Sequence, residues 1–364
     1  MNKAKAIVIS VIFCALIGSL TVLHFVLPDE ELSLSERRKK QQLPEVSVSS
    51  LLNGDFTKQL EAYMADQFPL RDTFRRLKAG VHFKILGQKD NDSVYAVDGN
   101  IGEYEGSIDK KSVDNFTKKI TSVYQRYLKN TDCKVYYSII PDKNRFLAKS
   151  NGYPCFDYNE MYSMVDEKLS FMTKIEIDSL LSLDCYYKTD SHWRQEKISP
   201  VAKRICESMD VKHVGAEKQK NLGEFYGVYY PRLALNVKPD ELVTAENEAI
   251  NKSKVYIYDT DKTVDIYYQE KLKGNDPYEV FLSGSVGMLE INNHTVKGER
   301  ELVIFRDSFS SSLAPLLLGG YSKITLVDIR YVTPSYMATQ LEFENQDVLF
   351  IYRTMLINNS QLIK

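Results

Sequence analysis

Histidine is scarce in this chain, with five residues in 364. One of them, His24, falls in an apolar N-terminal run, and the others show no metal-ligand spacing, so no metal centre is expected. The five cysteines include no Cys-x-x-Cys pair, which removes that common metal and redox signature. Charge of one sign is lacking too. The chain carries 47 basic and 49 acidic side chains, a formal net charge of −2. That balance exerts no general attraction on nucleic acid, and no interleaved basic-aromatic stripe argues for such a partner. No internal repeat is visible, and no cofactor is expected.

What is present begins at the N-terminus. Lys3 and Lys5 precede an apolar run from Ala6 to Leu27, long enough as a helix to cross the hydrocarbon core of a bilayer. The run ends in Val-Leu-His-Phe-Val-Leu-Pro, a poor cleavage site, so residues 1–27 read as a cytoplasmic tip and an uncleaved signal anchor. Arg37, Arg38, Lys39 and Lys40 oppose the positive-inside bias of Lys3 and Lys5. A long domain after a signal-like segment usually translocates regardless, so residues from about 30 onward are expected outside the cytoplasm. Four cysteines (Cys133, Cys155, Cys185, Cys206) then lie outside, with one or two bridges or free buried thiols as the alternatives.

Residues 28–50 are polar and read as a juxtamembrane stalk. Residues 51–364 read as one α/β domain with an insertion at about 213–275. Phe56, Leu60, Tyr63 and Met64 follow helical spacing, as do Val113, Phe116, Ile120, Val123 and Tyr127. Short apolar runs at 134–140, 278–282, 302–305, 324–327 and 348–352 read as strands. Alternation of such strands with helices predicts a mainly parallel sheet covered on both faces. Within the insertion, 255–258 and 264–268 read as a hairpin. The 24 tyrosines suit either half-buried core positions or a carbohydrate-binding surface.

Two segments carry chemistry. Strand 302–305 runs into Arg306-Asp307-Ser308-Phe309, which places Ser308 at the carboxyl edge of the sheet, where ligands bind in open α/β folds. The helix start that follows offers free N–H groups to an oxyanion; a simple N-cap is the plainer reading. Upstream, Thr189-Asp190-Ser191-His192-Trp193 contains an Asp-x-His step. A serine nucleophile needs an imidazole to take its proton, and that imidazole needs a carboxylate to orient it.

Together with Asp66-Gln67-Phe68-Pro69-Leu70-Arg71, Pro141-Asp142-Lys143, Tyr278-x-x-Phe281-Leu282-x-Gly284 and Asp328-x-Arg330-Tyr331, these segments resemble the DHHW-type proteins. Those are relatives of the alginate and cell-wall polysaccharide O-acetyltransferases of the SGNH-hydrolase superfamily. The resemblance implies an SGNH-hydrolase-like, flavodoxin-like sheet flanked by helices. It makes Ser308 the nucleophile, His192 the general base and Asp190 the orienting carboxylate. It implies transfer of an acyl group to a surface polysaccharide, with an MBOAT-type membrane protein as acyl donor; an esterase on the same triad and a non-catalytic glycan-binding scaffold are the alternatives. Arg306 stands where alginate-type relatives have glycine, and Gly284-Ser285 where relatives read Gly-Asn. Gly284 and Ser285 are therefore expected at the oxyanion site, with Ser285 either substituting as a weaker donor or leaving the oxyanion hole incomplete. Arg306 is expected either to crowd the nucleophile turn or to contact an anionic glycan. Lys143 and Arg145 either bind a carboxylated sugar or lie in a solvated loop. Trp193 either stacks on sugar or packs beside His192.

Overall fold

The apolar N-terminal run forms one helix, α1 (Lys3–Val26), in the computed structural model, which describes residues 3–33 and 35–363. Its 24 residues span about 36 Å at 1.5 Å each. Among the described residues it is the one helix long and apolar enough to cross a membrane.

The chain divides into two compact units, one running to Asp92 and taking in Tyr230–Asn236, the other holding Ser93–Tyr229 and the chain from Val237 onward. In the first, a two-residue ladder of β1 (Leu32–Ser33) and β2 (Arg38–Lys39) precedes α2 (Val48–Leu52), α3 (Asp55–Asp66) and α4 (Arg71–Gly80). The Asp-Gln-Phe-Pro-Leu-Arg segment joins α3 to α4 and grips the polar stretch before it. Asp66 accepts two guanidinium bonds from Arg38, at 2.6 and 2.7 Å, and the Gln41 N–H at 2.8 Å. Arg71 reaches Glu36 at 3.1 Å, and the Gln67 amide bonds the backbone of Glu30 and Gln41. Hydrogen bonds from Arg38 hold the Asp66 carboxyl well below the usual carboxylate range, against the opposing effect of burial.

The second unit is built on an eight-stranded sheet. A ribbon of β3 (Val94–Val97) and β4 (Asn100–Glu103) comes first, then β5 (Lys134–Ile140) and β6 (Thr173–Lys174). A second antiparallel ribbon, β7 (Lys218–Phe225) and β8 (Asp240–Glu246), precedes β9 (Lys254–Ile257) and β10 (Lys262–Asp265). The chain ends with β11 (Met288–Asn292), β12 (Glu301–Arg306), β13 (Lys323–Val327) and β14 (Asp347–Arg353). The sheet order is β10-β9-β11-β13-β12-β14-β5-β6. From β13 to β6 every pairing is parallel, whereas β11, β9 and β10 add an antiparallel edge. The expected hairpin is thus β9–β10, and it extends the main sheet through β11.

Successive strand residues alternate between two cores. On β12, Leu302 and Ile304 join one apolar cluster while Val303 and Phe305 join the other; Leu349 and Ile351 on β14 divide from Val348 and Phe350 in the same way. Both faces are covered, which is why these strands are apolar throughout. One face packs on α8 (Ser199–Ser208) through Val201, Ala202 and Ile205. The other packs on α5 (Lys110–Val123) and α7 (Tyr158–Lys168), and α5 buries Val113, Phe116, Ile120 and Val123 at helical spacing. Of the expected strands, 278–282 does not form. Pro277–Val280 is a 3₁₀ turn capped by the Asp276 side chain, and Leu282 and Ser283 follow at φ +53° and +63°. All five cysteines are free thiols, with Cys185 and Cys206 buried.

Candidate active site

The parallel strands bring three chain ends to one edge: Asp307-Ser308 after β12, Arg353 at the end of β14, and Asp142-Lys143 beyond β5. The turn after β12 is tight. The Asp307 carboxylate accepts the N–H of Phe309 at 3.0 Å with one oxygen and the N–H of Arg353 at 2.8 Å with the other. The Ser311 N–H bonds back to the Ser308 carbonyl at 3.2 Å. Asp307 is thus an Asx-type brace that pins the serine turn to the neighbouring strand.

The Asp-x-His step lies in a loop closed by a bridge between Tyr186 and Trp193, with the Tyr187 N–H donating to the His192 carbonyl at 3.1 Å. Asp190 Oδ1 accepts the His192 N–H at 2.9 Å and faces Nδ1 of the same ring at 2.6 Å. His192 Nε2 stands 2.8 Å from Ser308 Oγ. Asp190, His192 and Ser308, separated by 116 residues of chain between the last two, therefore form one continuous hydrogen-bonded line. His192 is 7% exposed and Asp190 fully buried, while Ser308 keeps contact with solvent.

Three supports of this line have no signal in the local sequence pattern. Asp240, at the start of β8, accepts the N–H groups of Lys188 and Thr189, both at 2.7 Å, and the Thr189 hydroxyl at 2.6 Å. The Val228 N–H donates to Asp190 Oδ2 at 2.8 Å, so the second carboxylate oxygen is also held. Gly227 passes so close that a Cβ there would lie 2.2 Å from Cβ of Asp190. Tyr278 is the fourth support: its ring stacks on the His192 imidazole.

The remaining candidates take varied positions. Trp193 is wholly buried, and its indole N–H donates to the Phe309 carbonyl and to Ser312 Oγ, both at 3.0 Å; it packs beneath the serine turn and offers no face to a sugar. Arg306 is 1% exposed and donates to Ser311 Oγ at 3.1 Å and to the Val286 carbonyl at 3.2 Å, which ties the 282–286 loop to the serine turn. Burial lowers its guanidinium pKa, with Asp328 opposing that shift. Lys143 is 2% exposed, and its ammonium bonds the carbonyls of Ile101 and Lys188 at 2.8 and 3.0 Å. Burial pushes its pKa down to about 7. Arg145 pairs with Asp178 at 3.1 Å. Arg306 and Lys143 therefore bond within the fold, and neither is open to solvent. The Gly284 N–H is already taken by the Phe281 carbonyl at 3.1 Å, and Ser285 is exposed. Gly284 itself is required by φ +79° and by Glu279, whose side chain a Cβ would meet at 2.5 Å. Asp328 and Arg330 pair with each other at 2.6 and 2.9 Å.

No metal-holding group of acidic, histidine and cysteine side chains occurs among the described residues. What the arrangement can do is activate a serine hydroxyl.

The fold defines an α/β protein with a mostly parallel central sheet covered by helices on both faces. No family model matches the chain, and no curated protein matches it in sequence. Solved structures do. A DHHW family protein from Eubacterium siraeum aligns with 74% of this chain and 94% of its own, at 18% identity and a TM-score of 0.59. Bacillus cereus PatB1, solved with a sulfonyl adduct, aligns with 72% of this chain and 95% of its own, at 16% identity and a TM-score of 0.58. The O-acetyltransferase domain of Pseudomonas putida AlgJ aligns more loosely, over 68% of this chain and 84% of its own, at 10% identity and a TM-score of 0.41. At these identities the likeness is one of fold.

Proposed function

We propose that this chain is a membrane-anchored serine acyltransferase, working outside the cytoplasm, that moves an acyl group onto a hydroxyl of a surface polysaccharide. The observation that carries this reading is the line from Asp190 through His192 to Ser308, 2.6 and 2.8 Å in its two steps. Residues 1–27 serve as tip and anchor, 28–50 as the juxtamembrane stretch, and 51–364 hold the catalytic portion.

Ser308 Oγ attacks the acyl carbonyl carbon while its proton passes to Nε2 of His192. Asp190 keeps the Nδ1 proton in place and stabilises the imidazolium. Collapse of the tetrahedral intermediate expels the donor's leaving group, which takes the proton from Nε2. An acceptor hydroxyl then gives its proton to Nε2 and attacks the acyl-serine, and collapse of the second tetrahedral intermediate breaks the bond to Ser308 Oγ as Nε2 returns the proton to it. An MBOAT-type membrane protein is the proposed acyl source. With water as acceptor the same steps make an esterase.

The test uses full-length protein in detergent, an acetyl ester as donor, and assays with and without glycan acceptors, comparing wild type with Ser308→Ala. Ser308-dependent formation of acetylated glycan is expected. Ser308-dependent turnover that never acetylates an acceptor would replace the transferase by the esterase. Equal turnover in Ser308→Ala would remove both.

A further inference from the structure

The cations that the sequence marks for substrate contact are all engaged: Arg145 by Asp178, and Lys143 and Arg306 by carbonyl and hydroxyl groups within the fold. Arg353 differs. Its backbone N–H braces Asp307 beside the serine, but among the described residues its side chain has no hydrogen bond and no ion pair. Nε is shut off from solvent without an acceptor. The guanidinium carbon lies 5.7 Å from the centre of the Phe309 ring, and that ring lies 4.9 Å from the His192 imidazole.

The ring face compensates part of the positive charge, yet it supplies no acceptor for Nε, and a half-buried guanidinium without acceptors is costly. The Glu105 and Asp142 carboxyls feel the Arg353 charge, but neither forms an ion pair with it. Burial pushes the Glu105 carboxyl up to about 8, so it is largely neutral at pH 7. Asp142 is fully buried, its acidity weakened by burial, and its oxygens are taken by Thr354, Tyr158 and Asn144. A planar fork with open donors, held at the sheet edge that carries the nucleophile, matches a carboxylate or phosphate.

We propose that Arg353 is an acceptor-binding residue that takes an anionic substituent, carboxylate or phosphate, of the glycan, so that a neighbouring hydroxyl faces Ser308. The role in acceptor choice rests on the acyl-transfer reading; the anion site itself does not.

Binding is measured by calorimetry on the full-length Ser308→Ala protein in detergent, where no turnover intervenes. The probes are an oligogalacturonate, the same oligomer with its carboxyls reduced to hydroxymethyl groups, and an oligo(glycerol phosphate). At least one anionic probe is expected to bind tenfold or more tightly than the neutral oligomer. Adding Arg353→Gln is expected to abolish that preference, and Arg353→Lys to keep part of it, with thermal melts checking that both variants fold. The two anionic probes distinguish carboxylate from phosphate as the group recognised. Equal binding of neutral and anionic probes, absence of binding by both anionic probes, or a preference that survives Arg353→Gln would overturn the inference. The acyl-transfer reading fails separately, through Ser308-independent ester turnover.

Discussion

The imidazole of His192 lies flat on the ring of Tyr278, with centroids 3.9 Å apart and planes inclined by 11°. The Tyr278 hydroxyl is held in turn by Ser312 Oγ at 3.0 Å, one turn beyond the serine. The ring therefore fixes the plane in which His192 can meet both Asp190 and Ser308, and its negative face favours the imidazolium that forms on attack. Tyr278→Phe keeps the ring and is expected to lower kcat only several-fold. Tyr278→Leu removes the face and is expected to lower kcat by roughly 10- to 100-fold with little change in KM, a split that steady-state kinetics with an acetyl ester will read.

Asp190→Asn preserves size but would present an N–H or a carbonyl to Nδ1 in place of a carboxylate, and so permits the wrong imidazole tautomer. A loss in kcat on the order of 10³- to 10⁴-fold is expected. Neutral-pH activity within tenfold of wild type would remove Asp190 from the proposed relay.

Gly227 tests how closely the second oxygen of Asp190 is held. A Cβ at 227 would lie 2.2 Å from Asp190 Cβ and 2.4 Å from its Cα. Gly227→Ala is expected to destabilise by about 1–3 kcal/mol and to depress activity by displacing Asp190. Gly106→Ala, where a Cβ would meet nothing within 4 Å, is the comparison and is expected to be neutral. Denaturant melts and ester turnover of the two variants decide it.

Glu105 sets a pH dependence of stability. Its carboxyl is raised from 4.5 to about 8, chiefly by burial, so the folded chain holds a proton that the unfolded chain releases. The stability linked to that proton is fully present below about pH 4.5 and is lost as pH rises toward and through 8. Lys143, lowered by burial to about 7, acts oppositely: stability rises with pH from that value toward its unfolded pKa. The two are separated by Glu105→Gln, which removes only the first. The difference in unfolding free energy between wild type and Glu105→Gln is expected to move in favour of the variant between pH 5 and 8, by at most about 1.4 kcal/mol per pH unit. A pH-independent difference would place the carboxyl in an ordinary titration range.

Local pattern was enough wherever one stretch of chain decides its own structure. The apolar run of α1, the helical face of α5, and strands 134–140, 302–305, 324–327 and 348–352 all have periodicity or β-branched content that a folded chain has few ways to satisfy. Ser308 was legible for the same reason, since a buried strand ending in Asp-Ser places that serine at the carboxyl edge of the sheet. The Asp190-x-His192 step was legible because two residues suffice to bring a carboxylate to an imidazole.

Other features were decided by residues far apart in the chain. The 278–282 run is apolar because Tyr278, Val280 and Phe281 are buried among other elements, not because it pairs as a strand; burial alone does not specify the backbone. Lys143 and Arg145 read as a sugar contact or a solvated loop, and Arg306 as crowding the nucleophile turn or contacting a glycan; their actual partners, the Ile101, Lys188 and Val286 carbonyls, the Ser311 hydroxyl and the Asp178 carboxylate, were decided by the fold. Asp240, Gly227 and Arg353 carry no motif, and each matters only through what it touches. Ser308 and the Asp190-x-His192 step can be named from the chain alone. Their 2.8 Å junction exists only because the fold brings the end of β12 and the 186–193 loop to one edge of the sheet.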